Sequence, residues 1–244
     1  MKVALVTGAG RGLGRATAHR LARDGQHVIL TARSACAVEA AADRLRHDGL
    51  AATALPLDVT DDASVQRAAE QVERRFGHLD VLVNNAGVLP EATNPDPAEV
   101  VDATMFRATF ETNLIGAVAV LEAFLPLLRR SEAGRIVNVS TTMGSLTDQG
   151  DPESPYYGMV VPAYQASKAA LNSVTIGLAK ALADTPVKVT SVCPGFVQTD
   201  LTPVNRTQAP LTAEQAAEVV WRAATLGEHE PSGTFLDAAG RVPW

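Results

Sequence analysis

The sequence predicts an α/β fold built on a doubly wound, parallel sheet with helices on both faces. Three observations predict it. Short apolar runs alternate with longer amphipathic runs along the whole chain, and strands alternating with helices imply right-handed crossovers and parallel pairing. The early apolar runs are solid rather than alternating, as expected of strands covered on both faces. No Pro- or Ser-rich linker and no change of composition interrupts the 244 residues, so 1–244 read as one domain.

The elements follow in order. "KVALVTG" is a buried strand ending in glycine, and "GRATAHRLARDG" is a helix with Ala16 and Leu21 at helical spacing, closed by Gly25. "HVILTAR" is a second strand and "AVEAAADRLRHDG" a second helix, ending at Gly49. "AATALPLDV" is a third strand. "DDASVQRAAEQVERRFG" is a third helix with acids at its start, where the helix dipole favours them. "LDVLVNNAG" is the fourth strand. "PDPAEV" (Pro95–Val100) reads as a turn and helix start, and the helical stretch after it runs to about Arg130 with Pro126 near its end. "GRIVNVS" is the fifth strand. Residues 141–161 have no clear period.

"PAYQASKAALNSVTIGLAKALAD" is a long helix with Pro162 in its first turn, where a missing N–H is harmless. "VKVTSVCPG" is the sixth strand, "TAEQAAEVVWRAATLG" a helix and "GTFLD" a short last strand, for about seven strands in all. A ligand of such a sheet sits at the carboxyl ends of the strands, where strand order reverses. The loops after "LVTG", "LVNNAG", "VNVS" and "SVCPG" are therefore expected on one edge.

Composition narrows the function classes. Hydrophobic residues are 46% and charged residues 20%, near the globular average. A formal net charge of −6 with no basic stripe argues against nucleic acid. The N-terminal apolar run is too brief for a signal peptide, and no later stretch is read as long enough to span a bilayer. A cytoplasmic protein with a small-molecule ligand and no membrane partner is expected. Cys36 and Cys193 have no metal or redox spacing and are expected to be buried, reduced thiols. The five histidines are scattered, so no metal site is expected.

"TGAGRGLG" (Thr7–Gly14) joins the first strand to the first helix. Gly8 permits the tight turn, Gly12 lets the backbone approach a pyrophosphate, and Gly14 lets helix and strand pack closely. Gly10, Arg11 and Leu13 complete the turn, and the helix N-terminus favours phosphate charge. The glycine spacing, "NNAG" (Asn84–Gly87) and "YQASK" (Tyr164–Lys168) together resemble the short-chain dehydrogenase/reductase family, essentially end to end. The stretch before Tyr164 and the terminal "GTFLDAAGRVPW" are similar to its carbonyl-reductase-like branch. The resemblance implies a Rossmann-like fold and an oxidoreductase reducing a ketone or aldehyde carbonyl.

The cofactor expected is NADP(H). Ala32 stands where NAD-preferring relatives carry Asp, followed by Arg33 and Ser34. With Arg11 this gives two guanidiniums and no acid, which suits a 2′-phosphate. The resemblance also implies that Asp58 contacts the adenine amino group with Val59 packed nearby. It implies that Asn85, Ala86 and Gly87 pass close to the cofactor, and that Asn84 braces neighbouring strands. In "PGFVQTD", Pro194, Gly195, Val197 and Thr199 approach the nicotinamide, within a second substrate-side loop over 194–212.

Carbonyl reduction needs hydride on carbon and a proton on oxygen. An unperturbed phenol is a poor base at neutral pH, and a nearby cation lowers its pKa. Tyr156 and Tyr157 have valines four residues later, whereas Tyr164 has Lys168, on the same helical face. Tyr164 is therefore the expected proton donor. By resemblance Lys168 also holds the nicotinamide ribose, and Asn113 distorts its helix and holds a water. The family's carbonyl-polarising serine is replaced by Thr141 in "NVSTTMG", with Ser140 adjacent. Strand alternation favours Thr141 and leaves Ser140 as the alternative. Residues 141–161 read as an extended substrate loop in which Tyr156, Tyr157, Met159 and Val160 wall an apolar pocket.

The rival readings are a nucleotide-sugar epimerase, for which 244 residues leave no added substrate domain, an NADP sensor or scaffold, and a dehydrogenase working in the oxidising direction. Many relatives form dimers or tetramers through their two long helices, and the sequence leaves those and a monomer open.

Overall fold

The computed structural model describes residues 1–93 and 101–244. Seven strands form one parallel sheet: β1 (Val3–Val6), β2 (His27–Ala32), β3 (Ala52–Pro56), β4 (Val81–Asn84), β5 (Arg135–Val139), β6 (Lys188–Val192) and β7 (Thr234–Leu236). Their order is β3-β2-β1-β4-β5-β6-β7, which reverses between β1 and β4. The helices are α1 (Gly12–Arg23), α2 (Ala35–His47), α3 (Asp62–Phe76), α4 (Ala103–Phe110), α5 (Gly116–Leu128), α6 (Leu146–Gly150), α7 (Pro162–Ala181), α8 (Pro203–Gln208) and α9 (Ala213–Ala224).

The solid apolar strands are explained by two cores. In β1, Ala4 and Val6 join the α1, α2 and α9 side, with Leu21, Val38, Leu45 and Val220. Val3 and Leu5 face the opposite side with Val65, Val72, Val120 and Phe124 of α3 and α5. Period-two alternation sends successive side chains to opposite faces, so with helices on both sides both sets of β1 positions are apolar. Burying a side chain such as Phe124 or Leu82 contributes about 2 kcal/mol.

The expected long helix up to Arg130 is in three parts. A π-turn over Glu111–Ile115 joins α4 to α5, and α5 ends at Leu128. The expectation that no later stretch reaches bilayer-spanning length fails here: Ala103–Leu128 runs for 26 residues and is apolar enough by composition. Its apolarity has a local cause, since Val120, Leu121, Phe124, Leu127 and Leu128 pack on the sheet. The helix start expected over Pro95–Val100 lies outside the described residues.

Residues 141–161 carry more structure than their lack of period suggested, with a 3₁₀ turn (Thr142–Gly144) and α6. Cys193 is buried as expected, but Cys36 is exposed. α2 buries Val38, Ala41, Ala42 and Leu45, and Cys36, in its first turn, lies off that stripe.

Candidate active site

At the carboxyl edge of the sheet, beside the reversal between β1 and β4, a cavity of about 1070 Å³ opens. Its walls come from the segments after β1, β2, β3, β4, β5 and β6. All four loops expected to share an edge do so.

The Thr7–Gly14 turn forms the floor. Thr7 Oγ1 accepts from the Asn85 and Ala86 N–H groups, at 2.9 and 3.0 Å, and Asn85 Nδ2 donates to Thr7 O at 2.8 Å. These bonds knit the end of β1 to the segment after β4. Gly12 has φ +53°, and a Cβ at Gly14 would stand 2.5 Å from both Gly8 O and Asn85 Nδ2. Only glycine fits there. Arg11 precedes α1 in extended conformation with no side-chain cap, and the first turn of α1 has no acid. The first N–H groups of α1 are thus left for a ligand, and their positive field suits an anion. This cradle fits a dinucleotide pyrophosphate.

Gly10, Leu13, Ala32, Arg33, Ser34, Asp58 and Val59 line one end of the cavity. Arg33 is exposed and has no ion pair among the described residues. Arg11 differs: its Nη1 lies 3.4 Å from Asp200 Oδ2, and Asp200 also pairs with Arg206. Of the two guanidiniums expected to receive a 2′-phosphate, Arg11 shares its charge with Asp200, and Arg33 has no such partner among the described residues. Ser34 Oγ accepts from Ala37 N at 3.2 Å, capping α2. Asp58 Oδ1 accepts from the N–H and the hydroxyl of Thr60, at 3.0 and 2.8 Å.

α7 carries Tyr164 and Lys168 on one buried face, 9% and 4% exposed. Lys168 Nζ donates to Val139 O at 2.7 Å and lies 5.8 Å from the centroid of the Tyr164 ring. Burial pushes the ammonium down to about 8. Burial, and secondarily the Cys193 thiol, pushes the Tyr164 phenol above its ordinary range. In this state desolvation, rather than the lysine, dominates the phenol, which stays protonated at neutral pH.

Asn113 sits in the π-turn, where the resemblance implied a distorted helix. Its Oδ1 accepts from Val88 N at 2.8 Å, and its Nδ2 donates to Val88 O at 2.9 Å and Ser167 Oγ at 3.2 Å. A Cβ on Gly87 would meet Asn113 Oδ1 at 3.3 Å and Lys168 Nζ at 3.7 Å, so both converge on that glycine. Asn84 Nδ2 donates to Asn138 Oδ1 at 2.9 Å, tying β4 to β5.

Ser140 and Thr141 both line the cavity. Thr141 Oγ1 accepts from Met143 N at 3.3 Å, which leaves its own proton to donate. Ser140 Oγ is buried and has no partner among the described residues. Of the substrate-loop residues, Tyr156, Met159 and Val160 line the cavity. Tyr157 does not, and it is 52% exposed. On the opposite side Pro194, Gly195, Val197 and Thr199 line it. Their loop is held by Gln198 N donating to Leu211 O at 2.8 Å and Asn205 Nδ2 donating to Val197 O at 3.0 Å.

One part of the wall had no sequence signal assigned to it, Val88, Leu89 and Ala92 after β4; Met143, and Phe196, Leu201 and Val204, fall in the substrate-side loops expected over 141–161 and 194–212 without having been singled out. Their apolarity alone marks core and pocket alike. Glu91 and Gln165 were also missed. The Glu91 carboxylate accepts from Ala163 N and Tyr164 N, and Gln165 Nε2 donates to Met159 O at 3.1 Å.

The family model described as short chain dehydrogenase matches residues 2–210. Short-chain dehydrogenase anuI of Penicillium roqueforti is 37% identical over 240 residues, covering 96% of this chain and 92% of that one. (+)-Neomenthol dehydrogenase of Arabidopsis thaliana is 32% identical over 287 aligned positions, covering 96% and 95%. The crystal structure of NADPH-bound carbonyl reductase from chicken fatty liver superposes with a TM-score of 0.83 at 28% identity, covering 100% of this chain and 98% of that one.

Proposed function

This chain belongs to the short chain dehydrogenase family, and on that premise we propose that it is an NADPH-dependent reductase of apolar ketones or aldehydes. The observation that carries this reading is the pairing of Tyr164 and Lys168 on the cavity face of α7. A bound NADPH supplies hydride to the carbonyl carbon. The oxygen takes its proton from Tyr164, whose buried phenol is in the protonated, donating form at neutral pH. Lys168 places a cation near the phenolate left behind, which stabilises it and allows reprotonation. Thr141 donates a hydrogen bond to the substrate oxygen, and that bond strengthens as charge develops there. The same residues run the oxidation of an alcohol in reverse.

Gly8, Gly12, Gly14 and the N-terminus of α1 hold the pyrophosphate in this reading. Arg33 binds the 2′-phosphate, since Ala32 offers no carboxylate to a ribose hydroxyl. Asp58 and Val59 take the adenine, and Lys168 the nicotinamide ribose. The substrate half is walled by Val88, Leu89, Tyr156, Met159, Val160 and Phe196, which favours an uncharged, apolar substrate.

The test is oxidation of NADPH by a panel of aliphatic and aromatic ketones, aldehydes and quinones, run with the wild type, Thr141→Ala and Ser140→Ala. Turnover by the wild type, lost mainly in Thr141→Ala, is the expected result. Tight NADPH binding without any turnover would move the protein to a sensor role, and a larger loss in Ser140→Ala would reassign the polarising hydroxyl.

A further inference from the structure

α7 begins where its own sequence leaves it uncapped. Val161 at the N-cap has no side-chain oxygen to offer, and Pro162 at the first helical position has no N–H. The next two N–H groups, of Ala163 and Tyr164, are inside the protein: Ala163 is fully buried and Tyr164 nearly so. Buried N–H groups left without acceptors are costly. Glu91 supplies both acceptors. Its Oε1 lies 2.9 Å from Ala163 N and its Oε2 2.8 Å from Tyr164 N. The donor pair and the carboxylate fork match, the charge assists each bond, and the carboxylate meets the positive end of the helix.

Glu91 does not belong to α7. It lies in a 3₁₀ turn (Pro90–Thr93) beyond β4, in the segment whose Val88, Leu89 and Ala92 line the cavity. Asn113 grips Val88 at the other end of that segment. On the far side Gln165 Oε1 accepts from Val161 N at 3.1 Å while its amide donates to Met159 O. Two opposed walls of the cavity are thus fastened to the one helical turn that carries Tyr164.

We propose that Glu91 is a positioning residue for Tyr164, its carboxylate fixing the first turn of α7 and setting the phenol against the wall formed by residues 88–93. It touches no reacting atom. A displacement of an ångström at a reacting group costs up to about a hundredfold in rate, so its removal acts on turnover rather than on cofactor binding. The inference rests on the reductase reading for its kinetic consequence and on geometry alone for the cap.

The experiment compares full-length Glu91→Ala, Glu91→Gln and Glu91→Asp with the wild type in two measurements. Hydrogen exchange of backbone amides needs no substrate. It is expected to show the Ala163 and Tyr164 amides protected in the wild type and faster by about tenfold or more in Glu91→Ala, with the middle of α7 unchanged. Steady-state reduction is expected to lose about tenfold to a hundredfold in kcat in Glu91→Ala and Glu91→Gln. NADPH affinity by fluorescence titration should stay within about twofold, and Glu91→Asp should recover part of kcat. Unchanged exchange at both amides overturns the cap. Faster exchange with unchanged kcat, or loss confined to NADPH affinity, overturns the positioning role. A wild type that reduces no carbonyl compound overturns the reductase reading instead, while the exchange measurement still decides the cap. Glu91→Gln keeps the side-chain size and one acceptor, so it serves if Glu91→Ala does not fold.

Discussion

Tyr164 and Lys168 stand one turn apart on the buried face of α7, with the lysine Nζ 5.8 Å from the centre of the tyrosine ring and held by Val139 O at 2.7 Å. The carbonyl that holds the ammonium is the last of β5, beside Ser140 and Thr141. Tyr164, Lys168, Ser140 and Thr141 therefore line one cavity at the edge of the sheet.

The Lys168 pKa gives the pH dependence. Burial lowers it to about 8, so the ammonium is present below that pH and lost above it. The phenol is raised and stays protonated across the same window. The kcat/KM for reduction is expected to be flat below pH 8 and to fall above it, because this quantity reports the free enzyme's groups. Stability follows the opposite sign. Between pH 8 and the ordinary lysine value of 10.5, the unfolded chain holds a proton at Lys168 that the folded chain has lost, so this group adds stability as pH rises through that window. Urea midpoints of the wild type and Lys168→Met should converge toward pH 10.5 and differ below pH 8, with the variant the more resistant. A reductase profile flat to pH 10 contradicts the assignment.

Cofactor choice is expected to follow Arg33. Arg33→Ala loses a charge-assisted bond of about 1.5–3 kcal/mol to a 2′-phosphate, roughly a tenfold to hundredfold rise in KM for NADPH. The KM for NADH should hardly move. Arg11→Ala should do less, because Asp200 already shares that charge. Equal losses with both cofactors in Arg33→Ala would place the 2′-phosphate elsewhere.

The two tyrosines of the substrate loop are expected to separate. Tyr156 lines the cavity and Tyr157 does not. Losing an aromatic contact of about 1.5 kcal/mol changes kcat/KM about tenfold. Tyr156→Ala should therefore shift the ratio of rates for large and small ketones about tenfold, while Tyr157→Ala leaves it within about twofold. A larger shift from Tyr157 would mean that the loop turns over when substrate binds.

The order of strands and helices was legible because each signal is local. Solid apolar runs, Gly25 and Gly49 after helices, and Pro162 at a helix start act within a few residues. The glycine turn and the Tyr164–Lys168 pair stood out because their spacing is also local, whereas Asn113 stood out only through the family resemblance. What stayed hidden depends on residues far apart in the chain. Arg11 looks like a free guanidinium until Asp200 is brought to it. Glu91 looks like any polar loop residue until α7 arrives with two bare N–H groups. The stretch Ala103–Leu128 was read as one helix, but its apolarity was underestimated, because the side chains it buries against the sheet, such as Phe124 and Leu128, are known only from the packing. Tyr156 and Tyr157 are adjacent, and only the path of the loop tells which one meets the cavity.

The most direct measurement is a comparison of wild type and Tyr164→Phe, with NADPH affinity by fluorescence and turnover on the best carbonyl substrate from the panel. NADPH affinity within about twofold and turnover lower by roughly a thousandfold are expected, since a positioned general acid contributes about 10²–10⁴-fold. Retention of more than about a tenth of the turnover would remove Tyr164 as the proton donor and, with it, the central claim.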